Sequence, residues 1–312
     1  MTSPRSTVSP THQGPLMLSS LVIQGQPVPS EPRELPIPWW SFTKTVLAAT
    51  ALSLVRDQIV ELDQTLVDQP FTLRQLLRHE AGLADYGELA EYHAAVANNE
   101  PAWSCAEMLR RLDGLRLRYA PGSNWHYSNV GYMLVGRLIE QLTGLSLEQA
   151  VTQRVLIPLG LVGVRFAKTP TDLADSATGS ACNYDPAWVY HGLLIGPVSQ
   201  AALFLDRLLG TDFLPDELLE QMQSARALGG PIAGRPWATA GYGLGVMQGS
   251  VDGGLALCGH TGSGPGSVIA VYRAVEGDRS ACCAVFGRDA TQGAIESVAV
   301  AALSAALPMF VH

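Results

Sequence analysis

The sequence predicts an α/β (α+β) fold in which an antiparallel sheet, flanked by helices, is interrupted by a long, mainly helical segment. Three observations carry this. Residues 16–23 read as a strand near the start of the chain. Residues 41–161 are helical in pattern almost throughout. The last third then changes to short runs rich in Val, Ala, Ile and Cys, bounded by glycine. Strands at both ends with helices between them suggest one sheet domain with a helical insertion. The expected division is an arm over 1–15, a sheet domain over 16–40 and 195–312, and a mainly helical domain over 41–194.

In chain order, residues 1–15 are polar and rich in Ser, Thr and Pro, which reads as a disordered arm. After the strand at 16–23, Gln24-Gly25-Gln26 forms a turn and Pro27 opens a short, proline-interrupted partner strand. Pro36 and Pro38 lead into Trp39-Trp40, and Ser41 then opens a helix whose apolar run covers 45–55. Thr72 is placed to N-cap a short amphipathic helix. A turn at 121–124 precedes a helix over 130–142 that stops at Gly144, and another helix follows over 146–155. Residues 163–192 show no period and are expected to cross the surface. Helices are expected again at 197–209 and 215–225. Residues 241–247 read as one strand, 266–274 and 279–286 as a hairpin, and 293–307 as an apolar C-terminal helix.

Composition narrows the function classes. Hydrophobic residues make up 47% of the 312 positions and charged residues 15%, which is globular. A formal net charge of −8 leaves no electrostatic footprint for nucleic acid or an anionic membrane surface. Seven histidines and five cysteines show no metal-ligand spacing, so no metal and no cofactor are expected. Arg78-His79-Glu80 resembles the start of a zinc-protease motif but lacks the second histidine at i+4. Residues 262–266 resemble a phosphate loop but lack its lysine, and read as a turn. Cys282 and Cys283 adjoin in a strand-like run and would face opposite sides of a sheet. The amino-terminal residues lack the apolar stretch of a secretory signal, so a cytoplasmic location is expected.

The chemistry begins at Ser41 and Lys44. The chain has two lysines, and Lys44 sits three residues after a serine, on the same helical face. A serine within reach of a base is a nucleophile candidate. Alone, Ser-x-x-Lys is a weak signal that an N-capped helix with a solvated lysine would also explain. Two later stretches strengthen it: Tyr127-Ser128-Asn129 between a turn and a helix, and His260-Thr261-Gly262-Ser263 entering a glycine-rich strand.

These three motifs, in this order, resemble those of the β-lactamase-related serine hydrolases, which include class C β-lactamases, D-alanyl-D-alanine carboxypeptidases, D-aminopeptidases and esterases. Further likeness lies in residues 71–83, 121–132, 241–245 and 259–262, and the resemblance spans residues 16–307. It implies a β-lactamase/transpeptidase-like fold with the active site between its two parts. It also implies Ser41 as nucleophile, Lys44 and Tyr127 as a coupled pair of which either is the base, and an oxyanion hole from the backbone of Ser41 and Ser263. Asn129 would bind the lysine and a substrate amide. His260, with Thr261 and Gly262, would line the substrate site, and Trp40 and Trp125 its aromatic walls. Histidine in place of lysine at 260 favours peptidase and esterase members over strong β-lactamases. The short segment before Ser41 implies a smaller sheet or a more open site, and Trp39-Trp40 a reshaped acyl side.

The expected function is therefore hydrolysis of a small-molecule ester through an acyl-enzyme on Ser41. The alternatives are a D-stereospecific amidase, a D-alanyl-D-alanine carboxypeptidase or a β-lactamase with weak penicillin binding, an acyltransferase, and a non-catalytic sensor on the same fold.

Overall fold

A computed structural model of the chain describes residues 16–29, 35–174, 176 and 183–307. The expected arm at 1–15 lies outside them. The strands are β1 (Met17–Ile23), β2 (Gln26–Pro27), β3 (Ile37–Pro38), β4 (Arg165–Ala167), β5 (Leu193–Gly196), β6 (Arg226–Gly229), β7 (Ala240–Tyr242), β8 (Met247–Ser250), β9 (Ala256–Gly264), β10 (Ser267–Glu276) and β11 (Arg279–Arg288). The α-helices are α1 (Thr43–Arg56), α2 (Leu73–Leu77), α3 (Ala90–Ala97), α4 (Cys105–Leu112), α5 (Asn129–Thr143), α6 (Leu147–Val151), α7 (Pro170–Ala174), α8 (Val198–Gly210), α9 (Asp216–Gln223) and α10 (Gln292–Ala306).

Eight strands form one antiparallel sheet in the order β2-β1-β11-β10-β9-β8-β7-β6. The sheet is thus not small, despite the short segment ahead of Ser41, because β6 to β8 extend it at the far edge. The two-residue period of a strand sorts its side chains into two cores. Ile269 and Val271 of β10, with Cys282, Ala284 and Phe286 of β11, join α8 and α1 in the larger core. Val268, Ala270 and Tyr272, with Cys283 and Val285, pack under Ile295, Ala299 and Leu303 of α10. The adjacent cysteines 282 and 283 therefore do face opposite sides.

Local signals explain most helix ends. Thr72 caps α2 in a reciprocal capping box with Gln75. Ser128 caps α5, which stops at Gly144 in the left-handed conformation. Ser146 caps α6, but the helix expected over 146–155 widens into a π-helical turn at Thr152–Leu156. Two expectations are corrected. The strand expected at 241–247 is interrupted after Tyr242, since Gly245 adopts φ +77° and the chain re-enters the sheet only at Met247. The region 163–192 does not simply cross the surface: β4 pairs with β5 and β5 with β3 in a separate three-stranded sheet, and Tyr184, Trp188 and His191 are buried. Strands of two to four residues are too short to show a period. Among the described residues no helix is long and apolar enough to cross a membrane.

Candidate active site

Ser41 does not itself begin the α-helix. It lies in a 3₁₀ turn, Trp40–Phe42, that runs directly into α1. The turn is tied to β5: the Trp39 N–H donates to the Leu194 carbonyl at 2.8 Å, and the Leu194 N–H donates to Thr43 Oγ1 at 3.1 Å. Trp40 sits at φ +42°, an unfavourable conformation for a bulky residue that costs about 1–3 kcal/mol. Its surroundings hold it there. The indole is buried, donates from Nε1 to Ser267 Oγ at 3.0 Å, and meets the Tyr184 ring edge-on. Strand β9 passes close under this turn because two glycines let it. A Cβ on Gly262 would lie 2.5 Å from the Trp39 carbonyl oxygen and 2.8 Å from the Ser41 nitrogen, and one on Gly264 would lie 2.5 Å from the Trp40 ring.

Lys44, the second residue of α1 and one turn beyond Ser41, has no exposed surface. Its Nζ lies 3.3 Å from Ser41 Oγ, 2.6 Å from Asn129 Oδ1 and 3.2 Å from His191 Nε2. Burial lowers its pKa to about 7, and the nearby Asp85 carboxylate opposes the shift. Near neutral pH a substantial fraction is therefore a free amine able to take a proton.

Tyr127 donates from its hydroxyl to Ser41 Oγ at 2.9 Å. Burial pushes the Tyr127 phenol well above its ordinary range, with the Ser41 hydrogen bond opposing and Asp85 reinforcing. Of the coupled pair, the tyrosine is therefore neutral and a donor. Its ring packs at a tilt against buried His79, 4.4 Å between centroids. The Ser128 N–H donates to His79 Nδ1 at 3.1 Å, so the His79 proton is on Nε2, which has no partner among the described residues. Asn129, the first residue of α5, donates from its backbone N–H and from Nδ2 to Asp85 Oδ1 at 3.0 and 2.9 Å. That carboxylate fixes the amide so that Oδ1 faces Lys44. Burial raises the Asp85 pKa, while the Asn129 hydrogen bonds and Lys44 lower it.

From the sheet side, His260 Nδ1 lies 2.7 Å from the Thr261 carbonyl and Nε2 lies 2.9 Å from the Tyr242 hydroxyl. A carbonyl only accepts, so Nδ1 carries the proton and Nε2 accepts from Tyr242. Burial, then the Lys44 charge, lower the His260 pKa to about 3, so it is neutral at physiological pH and does not serve as a cation. The Thr261 hydroxyl turns to the other face of the sheet and donates to Glu296, whose Oε1 also accepts from Tyr272 at 3.0 Å. Glu296 forms a forked ion pair with Arg235, its Oε2 accepting from Nε at 2.8 Å. The Thr261 hydroxyl thus braces β9, and the residue also forms part of the wall of the larger cavity beside Ser41.

Ser41 opens onto two cavities. The larger, about 390 Å³, is lined by Trp125, Tyr127, Asn129, Tyr242, His260 and Ser263, among others. The smaller, about 90 Å³, is walled by Trp40, Tyr86, Tyr92, Tyr184 and His191 and by Ser263 and Gly264. The structure therefore brings Ser41, Lys44, Tyr127, Asn129, His260 and Ser263 together, with Trp40 and Trp125 in the cavity walls, while the Thr261 hydroxyl is engaged by Glu296. Asp85, His79, Tyr242 and His191 were not nominated. His79 and Tyr242 fall within the stretches of likeness at 71–83 and 241–245 but carried no site role there, and Asp85 and His191 have no local mark; all four reach the site through tertiary packing. Of these, His191 is buried against the lysine. Cys258 near His260 is no second nucleophile, since burial pushes its thiol to about 12. Among the described residues no cluster of His, Cys, Asp and Glu could hold a metal ion.

A family model described as Beta-lactamase matches residues 22–308, almost the whole chain. A D-aminopeptidase of Cereibacter sphaeroides is 26% identical over 243 residues, which is 74% of this chain and 45% of that protein. The chain thus spans less than half the length of that relative. Among solved structures, a D-stereospecific amidohydrolase from Streptomyces sp. superposes with a TM-score of 0.73 at 21% identity, covering 92% of this chain and 93% of that one. A D-amino acid amidase from Ochrobactrum anthropi SV3, complexed with D-phenylalanine, gives 0.69 at 20% identity, covering 93% and 91%. These likenesses establish a β-lactamase/transpeptidase-like fold.

Proposed function

Because this chain belongs to the beta-lactamase family, we propose that it is a serine hydrolase that cleaves amide bonds of D-amino-acid derivatives through an acyl-enzyme on Ser41. The observation that carries the mechanism is the placement of Ser41 Oγ between the Lys44 amine and the Tyr127 hydroxyl. The names of the relatives support the amide and D-amino-acid preference, which puts the amidase reading ahead of the ester hydrolysis expected from the sequence.

Neutral Lys44 takes the Ser41 proton as Oγ attacks the substrate carbonyl carbon. The negative charge that develops on the carbonyl oxygen is met by the backbone N–H groups of Ser41 and Ser263, worth about 10²–10³ in rate per donor. Collapse of the tetrahedral intermediate breaks the C–N bond. The departing amine takes the Tyr127 proton, and the proton held by the Lys44 ammonium passes to the tyrosine by way of the Ser41 oxygen that both side chains contact. A water then attacks the ester of the acyl-enzyme by the same relay in reverse, releasing the D-amino acid and restoring Ser41. An ester needs less proton assistance to leave, so activated esters are expected to react as well.

Paired D- and L-amino acid amides and p-nitroanilides test this, with p-nitrophenyl esters and Ser41→Ala as controls. The D-amides should exceed their L counterparts by at least about tenfold in kcat/KM. Equal rates, or turnover of esters alone, would overturn the D-amidase reading. Unchanged turnover in Ser41→Ala would overturn the acyl-enzyme.

A further inference from the structure

His191 is delivered to the site by a tight turn. Trp188 and Tyr190 anchor the preceding residues by donating to the Glu100 and Trp103 carbonyls, both at 3.0 Å. Gly192, at φ +85°, then turns the chain into β5; a Cβ there would lie 2.5 Å from the Phe166 ring. The imidazole is 2% exposed, with Nε2 at 3.2 Å from Lys44 Nζ. Its Nδ1 is buried and has no partner among the described residues, and the residue forms part of the wall of the small cavity beside Ser41.

We propose that His191 is a positioning residue that steers the lone pair of Lys44 onto the Ser41 hydroxyl. The inference rests on Ser41 being the nucleophile and follows from counting hydrogens around one nitrogen. Among the described residues, Lys44 Nζ has three polar neighbours: Ser41 Oγ, Asn129 Oδ1 and His191 Nε2. A neutral amine has two N–H donors and one lone pair. Asn129 Oδ1 can only accept, because Asp85 holds the other end of that amide. If His191 also accepts, through Nε2 with its proton on Nδ1, both amine hydrogens are committed. The remaining lone pair then points to Ser41, where it must take the proton. With the opposite tautomer, Nε2–H would donate into the lone pair and block the base. The ammonium form excludes that tautomer, because all three of its hydrogens need acceptors. The other titratable groups around Lys44 are Tyr127, Tyr132, Asp85, His79 and His260, and none of them gives its nitrogen a further hydrogen bond.

The test reads nucleophile activation rather than substrate preference. The rate of Ser41 labelling by a fluorophosphonate probe is measured from pH 5 to 9 for the wild type, His191→Leu and His191→Gln, with thermal unfolding to confirm that each variant is folded. Glutamine can place an amide oxygen near the position of Nε2; leucine cannot. His191→Leu should lower the plateau rate by about 10–100-fold, the scale on which misorientation at a reacting centre acts. Its acidic limb should also move to lower pH, because the buried ammonium loses an acceptor. His191→Gln should recover most of the rate and keep the wild-type limb. Equal labelling of His191→Leu and wild type, or a glutamine variant no better than leucine when both are folded, would overturn the positioning role alone. A wild type that resists labelling would instead overturn the nucleophile reading, and this inference with it.

Discussion

A lysine sealed from water behaves differently from the solvated lysine that its sequence context also allowed. Unfolded, Lys44 would titrate near its ordinary 10.5; folded, it titrates at about 7. Between these values the unfolded chain holds one more proton than the folded one. Stability therefore rises with pH across that window, and below about pH 7 the full cost of burying the ammonium is present. Activity follows the same group. We expect kcat/KM to fall by about tenfold per pH unit below pH 7, as the base becomes protonated. Tyr127→Phe should lower kcat/KM by about 10²-fold or more yet leave this acidic limb in place, because the neutral phenol is not the group that titrates. A pH–rate profile of the variant checks both statements, and a limb that vanishes with the phenol would make Tyr127 the base. Ser41, Lys44 and Tyr127 were legible in the sequence because short spacings and motif order mark them. Asp85 and His79 were not, because their effect is to hold Asn129 and Tyr127 from segments more than 40 positions away, which no local pattern encodes.

At the level of elements, the site depends on how closely β9 approaches the Ser41 turn. Gly262→Ala would drive a methyl group against backbone atoms that have no room to yield. We expect a loss of about 1–3 kcal/mol in urea denaturation, as for other overpacked sites, with kcat reduced by about 10²-fold as the turn shifts. Ser128 caps α5 by accepting from the Gly131 N–H and is itself held by donating to the Ala84 carbonyl. Ser128→Ala should cost about 1–2 kcal/mol and weaken catalysis by displacing Asn129 at the start of the helix. Thermal melts and kinetics on the same samples separate the two effects. The long strands β10 and β11 and the capped helix α5 were legible, because ten residues of apolar run or a Ser-to-Gly frame exceed chance. The small sheet of β3, β4 and β5 was not, since its strands are specified by partners far along the chain. Yet this small sheet carries the backbone groups that anchor Trp39 and Thr43.

Across the whole molecule, one face of the large sheet is covered by α8 and the core around α1, and the other by α10. The C-terminal helix reaches the site through the sheet, because Glu296 joins Arg235, Tyr272 and Thr261 in one buried network. Glu296→Ala should destabilise the protein by about 2–4 kcal/mol, leaving a half-buried guanidinium without its partner and β9 without its brace. Urea unfolding measures this, and a loss below 0.5 kcal/mol, the range of ordinary surface substitutions, would show the network to be dispensable. The pairing of β1 with β11 reaches further still. Leu18 lies opposite Phe286 and Val22 opposite Cys282, so these two neighbouring strands are separated by most of the chain. Ser41 likewise meets its glycine strand only across more than 200 positions. Contacts of such long range close late in folding, after the loop entropy between them has been lost. A nascent or partly folded chain therefore carries an inert serine. Hydrolytic competence arises only when β9 and β11 have joined the sheet, so recovery of activity after dilution from urea should track the last structural phase rather than the first appearance of helix.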